Sequence, residues 1–265
     1  MRVGGPEVGQ PVLLLHGFPQ HGGEWDGVVP ALHEAGLRTY APDQRGYSPG
    51  ARPSDVDTYR MVECVADAVA MLDALGIERV DVVGHDWGSV VGWHLAVDHA
   101  GRVRTLTAVS VPHPAAVSQA RHTGDQKERS AYMQLFAIEG KAEEVLLADD
   151  ARRLWALFSP LTRAQAEPYV RPLLEPGALT GALNWYRRLE RPSLGPARVP
   201  VTYVWGNADP AIGRAAAEGC VDFVAEGFDY RFVELTGVSH WVADEAPDIV
   251  AAEALARIGA SSRSP

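Results

Sequence analysis

One stretch of the sequence constrains the fold more than any other. Residues 80–84 read Val-Asp-Val-Val-Gly, a β-branched run that is typical of a buried strand. After Gly88, apolar residues recur at three- and four-residue spacings, which predicts a helix. Gly84 and Gly88 therefore flank a sharp turn between a strand and a helix, with Asp86 at its tip. The helix N–H groups that follow favour an anion at that position.

The residue at the tip indicates a kind of chemistry. Hydrolases that use this strand–turn–helix arrangement often place a nucleophilic Ser there, and a Ser alkoxide attacks acyl carbon. A carboxylate such as that of Asp86 attacks saturated carbon instead and becomes an ester of itself. The pattern Gly-x-Asp-x-Gly is short, and a surface Asp in a glycine-containing loop would share it. The rest of the chain has to decide between the two interpretations.

The order of predicted elements indicates the fold class. Short apolar strands are predicted at 12–15, 37–41 and 103–109, with helical patterns between them. This alternation predicts an α/β fold, in which a mostly parallel sheet carries helices on both faces. Strands resume only at 199–205 and 230–235.

Between the two groups of strands, the sequence from about residue 115 to 196 contains only helical patterns, which prolines interrupt. We interpret this segment as a lid over the carboxyl ends of the strands, the edge at which α/β sheets bind ligands. The predicted domains are a core of residues 1–112 and 197–265 and an inserted helical cap of residues 113–196.

Composition excludes several classes of partner. The net charge of −10 argues against binding to nucleic acid or to an anionic membrane. Cys64 and Cys220 lack any metal or redox spacing, so buried thiols in a reducing compartment are expected. No signal peptide or membrane-spanning run is recognisable, so a cytoplasmic location is expected. The oligomeric state is left open.

Two loops complete a possible catalytic group. Asp209 follows the strand at 199–205, and His240 follows the last predicted strand, so both are expected at the same sheet edge as Asp86. The order Asp, Asp, His along the chain is the nucleophile, acid and base order of hydrolases with this turn. An acid on one ring nitrogen would fix the tautomer of the histidine, which could then take a proton near neutral pH.

These features resemble the epoxide hydrolase group of the α/β-hydrolase fold. The matching motifs occur in the family's order along the chain. They are His16-Gly17-Phe18-Pro19, Asp43-Gln44-Arg45-Gly46-Tyr47-Ser48, Gly84-His85-Asp86-Trp87-Gly88, Trp205-Gly206-Asn207-Ala208-Asp209 and Ser239-His240-Trp241.

The resemblance implies a set of roles. Asp86 would open an epoxide and carry a covalent ester, and water activated by the His240–Asp209 pair would release a vicinal diol. Tyr132 and Tyr186 would hold the epoxide oxygen. The N–H groups of Phe18 and Trp87 would form an oxyanion hole. Substrate contacts are implied for Phe18, Trp87, Tyr132, Tyr186 and Trp241. No cofactor or metal is implied, and the partner would be a small-molecule substrate.

Other polar residues of these motifs receive structural interpretations. His16 is expected to order the loop after it, and His85 is expected to point away from the site. Asp43 and Arg45 are expected to pair with each other. The short stretch before the first predicted core strand leaves room for at most part of one of the family's two leading strands, which predicts a trimmed sheet edge.

Three alternatives remain at this level. A haloalkane dehalogenase would use the same Asp, His and Asp but needs two side-chain N–H donors for the leaving halide. Trp87 supplies one, Phe18 supplies none, and a cap tryptophan such as Trp155 or Trp185 could supply the second. An esterase or lactonase is less favoured because the turn lacks Ser. A non-catalytic binding protein of the same fold would have no need of all three residues.

Overall fold

The computed structural model describes residues 1–189 and 194–261. Within them the chain forms a seven-stranded sheet with the order β1-β3-β2-β4-β5-β6-β7. The strands are β1 (Arg2–Gly4), β2 (Gln10–Leu15), β3 (Leu37–Ala41), β4 (Val80–His85), β5 (Val103–Val109), β6 (Val201–Gly206) and β7 (Tyr230–Leu235).

All neighbouring strands pair in parallel except the first pair. The three-residue strand β1 runs antiparallel to β3 at the edge of the sheet. Strands β4, β5 and β6 lie in the middle, with β7 at the other edge. Because they are parallel, their carboxyl ends meet along one edge of the sheet.

Twelve α-helices accompany the sheet in the described parts of the chain. Those outside the β5–β6 connection are α1 (Val29–Glu34), α2 (Met61–Ala74), α3 (Trp87–Asp98), α10 (Arg214–Glu218), α11 (Val242–Glu245) and α12 (Pro247–Ser261). Those inside it are α4 (Pro114–Ala120), α5 (Gln126–Arg129), α6 (Tyr132–Phe136), α7 (Lys141–Leu157), α8 (Arg163–Leu173) and α9 (Ala178–Arg187).

The apolar strands supply both faces of the sheet. Val12 and Leu14 of β2 pack in a cluster with residues of α1 and α12. Leu13 and Leu15 belong to the cluster on the opposite face, which includes residues of α2 and α3. Alternate residues of a strand point to opposite faces, so a continuous apolar run is what a sheet covered on both sides requires. The predicted α/β fold class is confirmed.

The helical segment between β5 and β6 differs in detail from the sequence pattern. Helix α7 has non-helical backbone angles at residues 148–151, so its geometry is interrupted at a segment that contains no proline. Pro168 and Pro172 lie inside α8, so the expectation that they interrupt the helical pattern is wrong. Residues 190–193, which the predicted cap includes, lie outside the described residues.

Candidate active site

The turn between β4 and α3 has a strained backbone at its tip. Asp86 has φ of 50° and ψ of −117°, a region that L-residues seldom adopt. A Cβ on Gly84 would lie 2.3 Å from the carbonyl oxygen of Gly88. A Cβ on Gly88 would lie 1.9 Å from the carbonyl oxygen of Leu15. The two glycines are therefore required because the neighbouring backbone leaves no space for a side chain.

Asp86 receives contacts on both carboxylate oxygens. The backbone N–H of Phe18 donates to Oδ1 at 2.8 Å, and Nε2 of His240 lies 3.5 Å from Oδ2. Burial alone would raise the pKa of Asp86. The nearby His240 and the Phe18 N–H reverse this effect, and the net result is a lowered pKa. The carboxylate is therefore ionised at neutral pH.

His240 lies between two carboxylates. Its Nδ1 is 2.8 Å from Oδ2 of Asp209, on the side opposite to Asp86. The backbone N–H groups of Ala211 and Ile212 donate to the other oxygen of Asp209 at 2.7 and 3.0 Å. Burial works against a charged imidazole, but Asp209 and Asp86 outweigh it and raise the pKa of His240 to about 10. The free site thus holds an imidazolium with the side chains of Asp209 and Asp86 on either side.

A second buried histidine, His85, contacts the backbone of His240. Nε2 of His85 lies 2.9 Å from the carbonyl oxygen of His240, and Nδ1 lies 3.2 Å from Oε2 of Glu24. Burial lowers the pKa of His85 to about 4, and the charge of His240 adds to the effect. Burial also raises the pKa of Glu24. His85 points away from the site, as the sequence predicts, whereas Glu24 has no motif that would reveal its position.

Two phenols lie across the site from Asp86. Tyr186 of α9 is 5% exposed, and its ring contacts those of Phe18 and Trp87 with centroid distances of 5.2 Å in both cases. Tyr132 of α6 is 37% exposed, and its ring centroid lies 6.2 Å from that of Tyr186. Desolvation first, and the charge of Asp86 among the further causes, raise the pKa of both phenols. Both are therefore protonated and able to donate.

Asp86, His240, Tyr132 and Tyr186 line one cavity of about 830 Å³. Such a volume holds a small organic molecule. Apolar side chains also line this cavity. They include Trp87, Val90, Val111, Met133, Trp185 and Ile212. Charged residues, among them Asp98, Arg121 and Lys127, also line it.

Two predicted substrate contacts lie outside the cavity wall. The ring of Trp241 stacks on Phe158 with a centroid distance of 5.0 Å, and its indole N–H donates to the carbonyl oxygen of Ser159. The ring of Phe18 packs against Phe136 and Tyr186. Neither ring lines the cavity. Trp241 therefore joins the helical segment to the core, and Phe18 reaches the site through its backbone N–H.

The loop motifs have mostly structural contacts. His16 accepts from the backbone N–H of Gln44 at 2.8 Å, which joins the two loops, as expected for an ordering role. The expected pair of Asp43 and Arg45 is not formed. Arg45 binds Asp67, and Asp43 accepts from the backbone N–H of Gly22. The closeness of Asp43 and Arg45 in the sequence suggested a pair, but their partners come from other segments of the chain.

Comparison with known proteins agrees with this architecture. Residues 10–247 match the family described as the alpha/beta hydrolase fold. The chain is 32% identical to the AB hydrolase superfamily protein YfhM of Bacillus subtilis, over 93% of this chain and 89% of that protein. It is 31% identical to Epoxide hydrolase A of Mycobacterium tuberculosis, over 94% of this chain and 90% of that protein.

Solved structures give the same result. Epoxide Hydrolase A from Mycobacterium thermoresistibile superposes with a TM-score of 0.83 at 27% identity, covering 97% of this chain and 93% of that one. A mutant of an epoxide hydrolase from Bacillus megaterium, complexed with its product (R)-3-[1]naphthyloxy-propane-1,2-diol, gives a TM-score of 0.85 at 25% identity, covering 97% of this chain and 96% of that one.

The chain therefore belongs to the α/β-hydrolase fold family, and within it to the epoxide hydrolase group. It is an enzyme of the α/β-hydrolase type. Among the described residues, none of the helices has the length and apolar character needed to cross a membrane.

Proposed function

We propose that this protein hydrolyses epoxides to vicinal diols through a covalent ester on Asp86. The observation that carries the proposal is the placement of an ionised aspartate and two protonated tyrosines, Tyr132 and Tyr186, in one cavity. An epoxide needs both, since a nucleophile must reach ring carbon while a donor holds the ring oxygen. Relatives named epoxide hydrolases support the assignment.

The first half-reaction forms the ester. Oδ2 of Asp86 attacks a ring carbon, and the carbon–oxygen bond of the ring breaks. The electron pair goes to the ring oxygen, which takes a proton from one of the two tyrosines, leaving that phenol as a phenolate. Oδ1 remains with the Phe18 N–H, 2.8 Å away, and becomes the carbonyl oxygen of the ester. His240 stays protonated during this half-reaction because of its raised pKa.

The second half-reaction releases the diol. Esterification removes the negative charge of Asp86, so the pKa of His240 falls and its proton passes through solvent to the phenolate left by the first half-reaction, which makes the imidazole neutral. It then takes a proton from water as the water oxygen attacks the Asp86 carbonyl carbon. The Phe18 N–H and the N–H of Trp87, the first residue of α3, hold the oxyanion. Collapse of the tetrahedral intermediate expels the diol oxygen, which takes the proton of the newly added hydroxyl. The Asp86 carboxylate and the protonated His240 of the free site are thereby restored.

The same proposal includes the division of the chain. Residues 1–112 and 197–265 would form the core that holds Asp86, Asp209 and His240. Residues 113–196 would form the cap that supplies Tyr132 and Tyr186. The substrate is a small molecule, and neither half-reaction needs a cofactor.

The dehalogenase alternative is weakened by the partners of the indole groups. Trp185 donates its N–H to the carbonyl oxygen of Arg45 at 2.8 Å, and Trp241 donates to Ser159. Trp155 does not line the cavity. Trp87 directs its N–H toward Tyr186, which lines the cavity, and Trp93 donates its N–H to the carbonyl oxygen of Val111. A leaving halide would therefore lack a second indole donor.

The test is diol formation from a panel of aryl and alkyl epoxides, with halide release from chloro- and bromoalkanes measured in parallel. We expect diol from the parent protein and a loss of at least about 1000-fold in Asp86→Ala, because the nucleophile is removed. Circular dichroism of the variant confirms that it is folded. Release of halide without diol would indicate a dehalogenase instead. If the folded protein forms no diol and releases no halide, the proposal is refuted.

A further inference from the structure

The acid loop, residues 209–213, carries Asp209 and is held by helix α5 of the helical segment. Gln126 is the first residue of α5 and is 1% exposed. Its Nε2 donates to the carbonyl oxygen of Ala211 at 2.8 Å, and its Oε1 accepts from the N–H of Gly213 at 2.9 Å. One side-chain amide thus pairs with both ends of a short piece of the acid loop, as a neighbouring strand would.

The same helix makes a second contact with the loop. Nη1 of Arg129 donates to the carbonyl oxygen of Asp209 at 2.6 Å, and Asp125 orients that guanidinium through Nε at 2.7 Å. The approach is close, since a Cβ on Gly213 would lie 2.5 Å from Oδ1 of Asp125. The loop is therefore bound from the outside by α5 and from the inside by its own Asp209 carboxylate.

The contacts of the Asp209 carboxylate depend on the position of the acid loop. Oδ1 of Asp209 accepts from the N–H groups of Ala211 and Ile212, and Oδ2 faces His240 at 2.8 Å. A shift of Ala211 relative to β6 would rotate the carboxylate away from the imidazole. Because buried amides need partners, losing Gln126 would leave the Ala211 carbonyl and the Gly213 N–H to find new ones.

We infer that Gln126 is a positioning residue for the acid Asp209, through which the helical segment sets the alignment of the base in the second half-reaction. The inference rests on the proposed function. Asp209 acts through His240, and the two half-reactions use His240 differently. Attack by Asp86 on the ring needs no proton transfer to His240, whereas ester hydrolysis does. Misalignment of Asp209 must therefore slow hydrolysis of the ester more than its formation.

The experiment compares parent protein, Gln126→Met and Thr180→Ala in single-turnover reactions with excess enzyme over styrene oxide. Met has nearly the length of Gln but no hydrogen-bonding groups. Thr180 is the control because it makes a helical-segment contact, to Glu143 at 2.8 Å, that does not involve the acid loop. Ester formation is followed by the mass of the quenched protein, and its decay by diol release.

In Gln126→Met we expect ester formation within about threefold of the parent and hydrolysis slowed at least about tenfold, so that the ester accumulates. In Thr180→Ala the ratio of the two rates should stay at the parent value, whatever happens to thermal stability. Equal slowing of both steps in Gln126→Met, or an unchanged ratio, would overturn the inference. Absence of any ester in the parent protein would instead refute the proposed function.

Discussion

The two sides of the site are held by different means. On the sheet side, Asp86, Asp209 and His240 follow three strands, and backbone N–H groups or charged partners fix each of them within hydrogen-bonding distance. On the helical side, Tyr132 and Tyr186 lie on α6 and α9 and are held mainly by ring packing. In the proposed mechanism, the nucleophile, acid and base therefore lie at strand ends, where hydrogen bonds fix them, and the two donors to the epoxide oxygen are held by packed aromatic rings.

If this comparison is correct, the largest effect should come from His240. In His240→Gln we expect the ester on Asp86 to form but its hydrolysis to slow by about 1000-fold or more, because no base remains for water. Intact-protein mass spectrometry after exposure to styrene oxide should show the added mass of one substrate. The parent protein under the same conditions is the control. Rapid turnover by the variant would show that His240 is not the base.

A smaller effect is expected on the helical side. Tyr186→Phe and Tyr132→Phe each keep the ring packing but remove one donor to the epoxide oxygen, so each should slow ester formation by about 10- to 100-fold. Hydrolysis of a preformed ester should change little. The more enclosed Tyr186 should show the greater loss. If either variant slowed hydrolysis alone, the division of labour between the two sides would be wrong.

The support of α9 can be weakened without touching the reacting groups. Arg187, whose side chain is 4% exposed, donates to both oxygens of Glu143 at 2.8 Å. Glu143→Gln removes the charge that this guanidinium faces, and we expect a loss of about 1 to 3 kcal/mol in the free energy of unfolding. Urea unfolding measures it, with the exposed Glu144→Gln as control. Equal stability of the two variants would contradict a structural role for the pair.

The last prediction concerns only the charge states of two neighbouring histidines. His85 and His240 have ring centroids 5.1 Å apart, yet the pKa of the first is lowered to about 4 and that of the second is raised to about 10. At pH 8, NMR of the imidazoles should show His240 charged and His85 neutral. In Asp86→Asn the pKa of His240 should fall, because one of its two carboxylates is gone. A neutral His240 in the parent at pH 8 would contradict this electrostatic picture.

Stability should follow the same shift. A raised pKa means that folded protein binds the proton more tightly than unfolded chain, so this contribution of His240 is fully present below about pH 6.5. It is lost as the pH rises towards the pKa of about 10 in the folded protein.

The sequence by itself determined the parts that depend on local geometry. Gly84 and Gly88 mark the turn because no other residue fits there, and β-branched runs mark buried strands whatever surrounds them. The edge on which Asp86, Asp209 and His240 meet follows from parallel strands, whose carboxyl ends coincide.

Only the tertiary structure decided which groups touch. Asp43 and Arg45 bind Gly22 and Asp67, which lie on other segments of the chain. Trp241 likewise donates to Ser159, and Gln126 donates to Ala211 of the acid loop. Residue types and spacing carry no information on such contacts, because they arise from how elements pack. The burial and neighbouring charges that set the pKa values of His85 and His240 have the same origin.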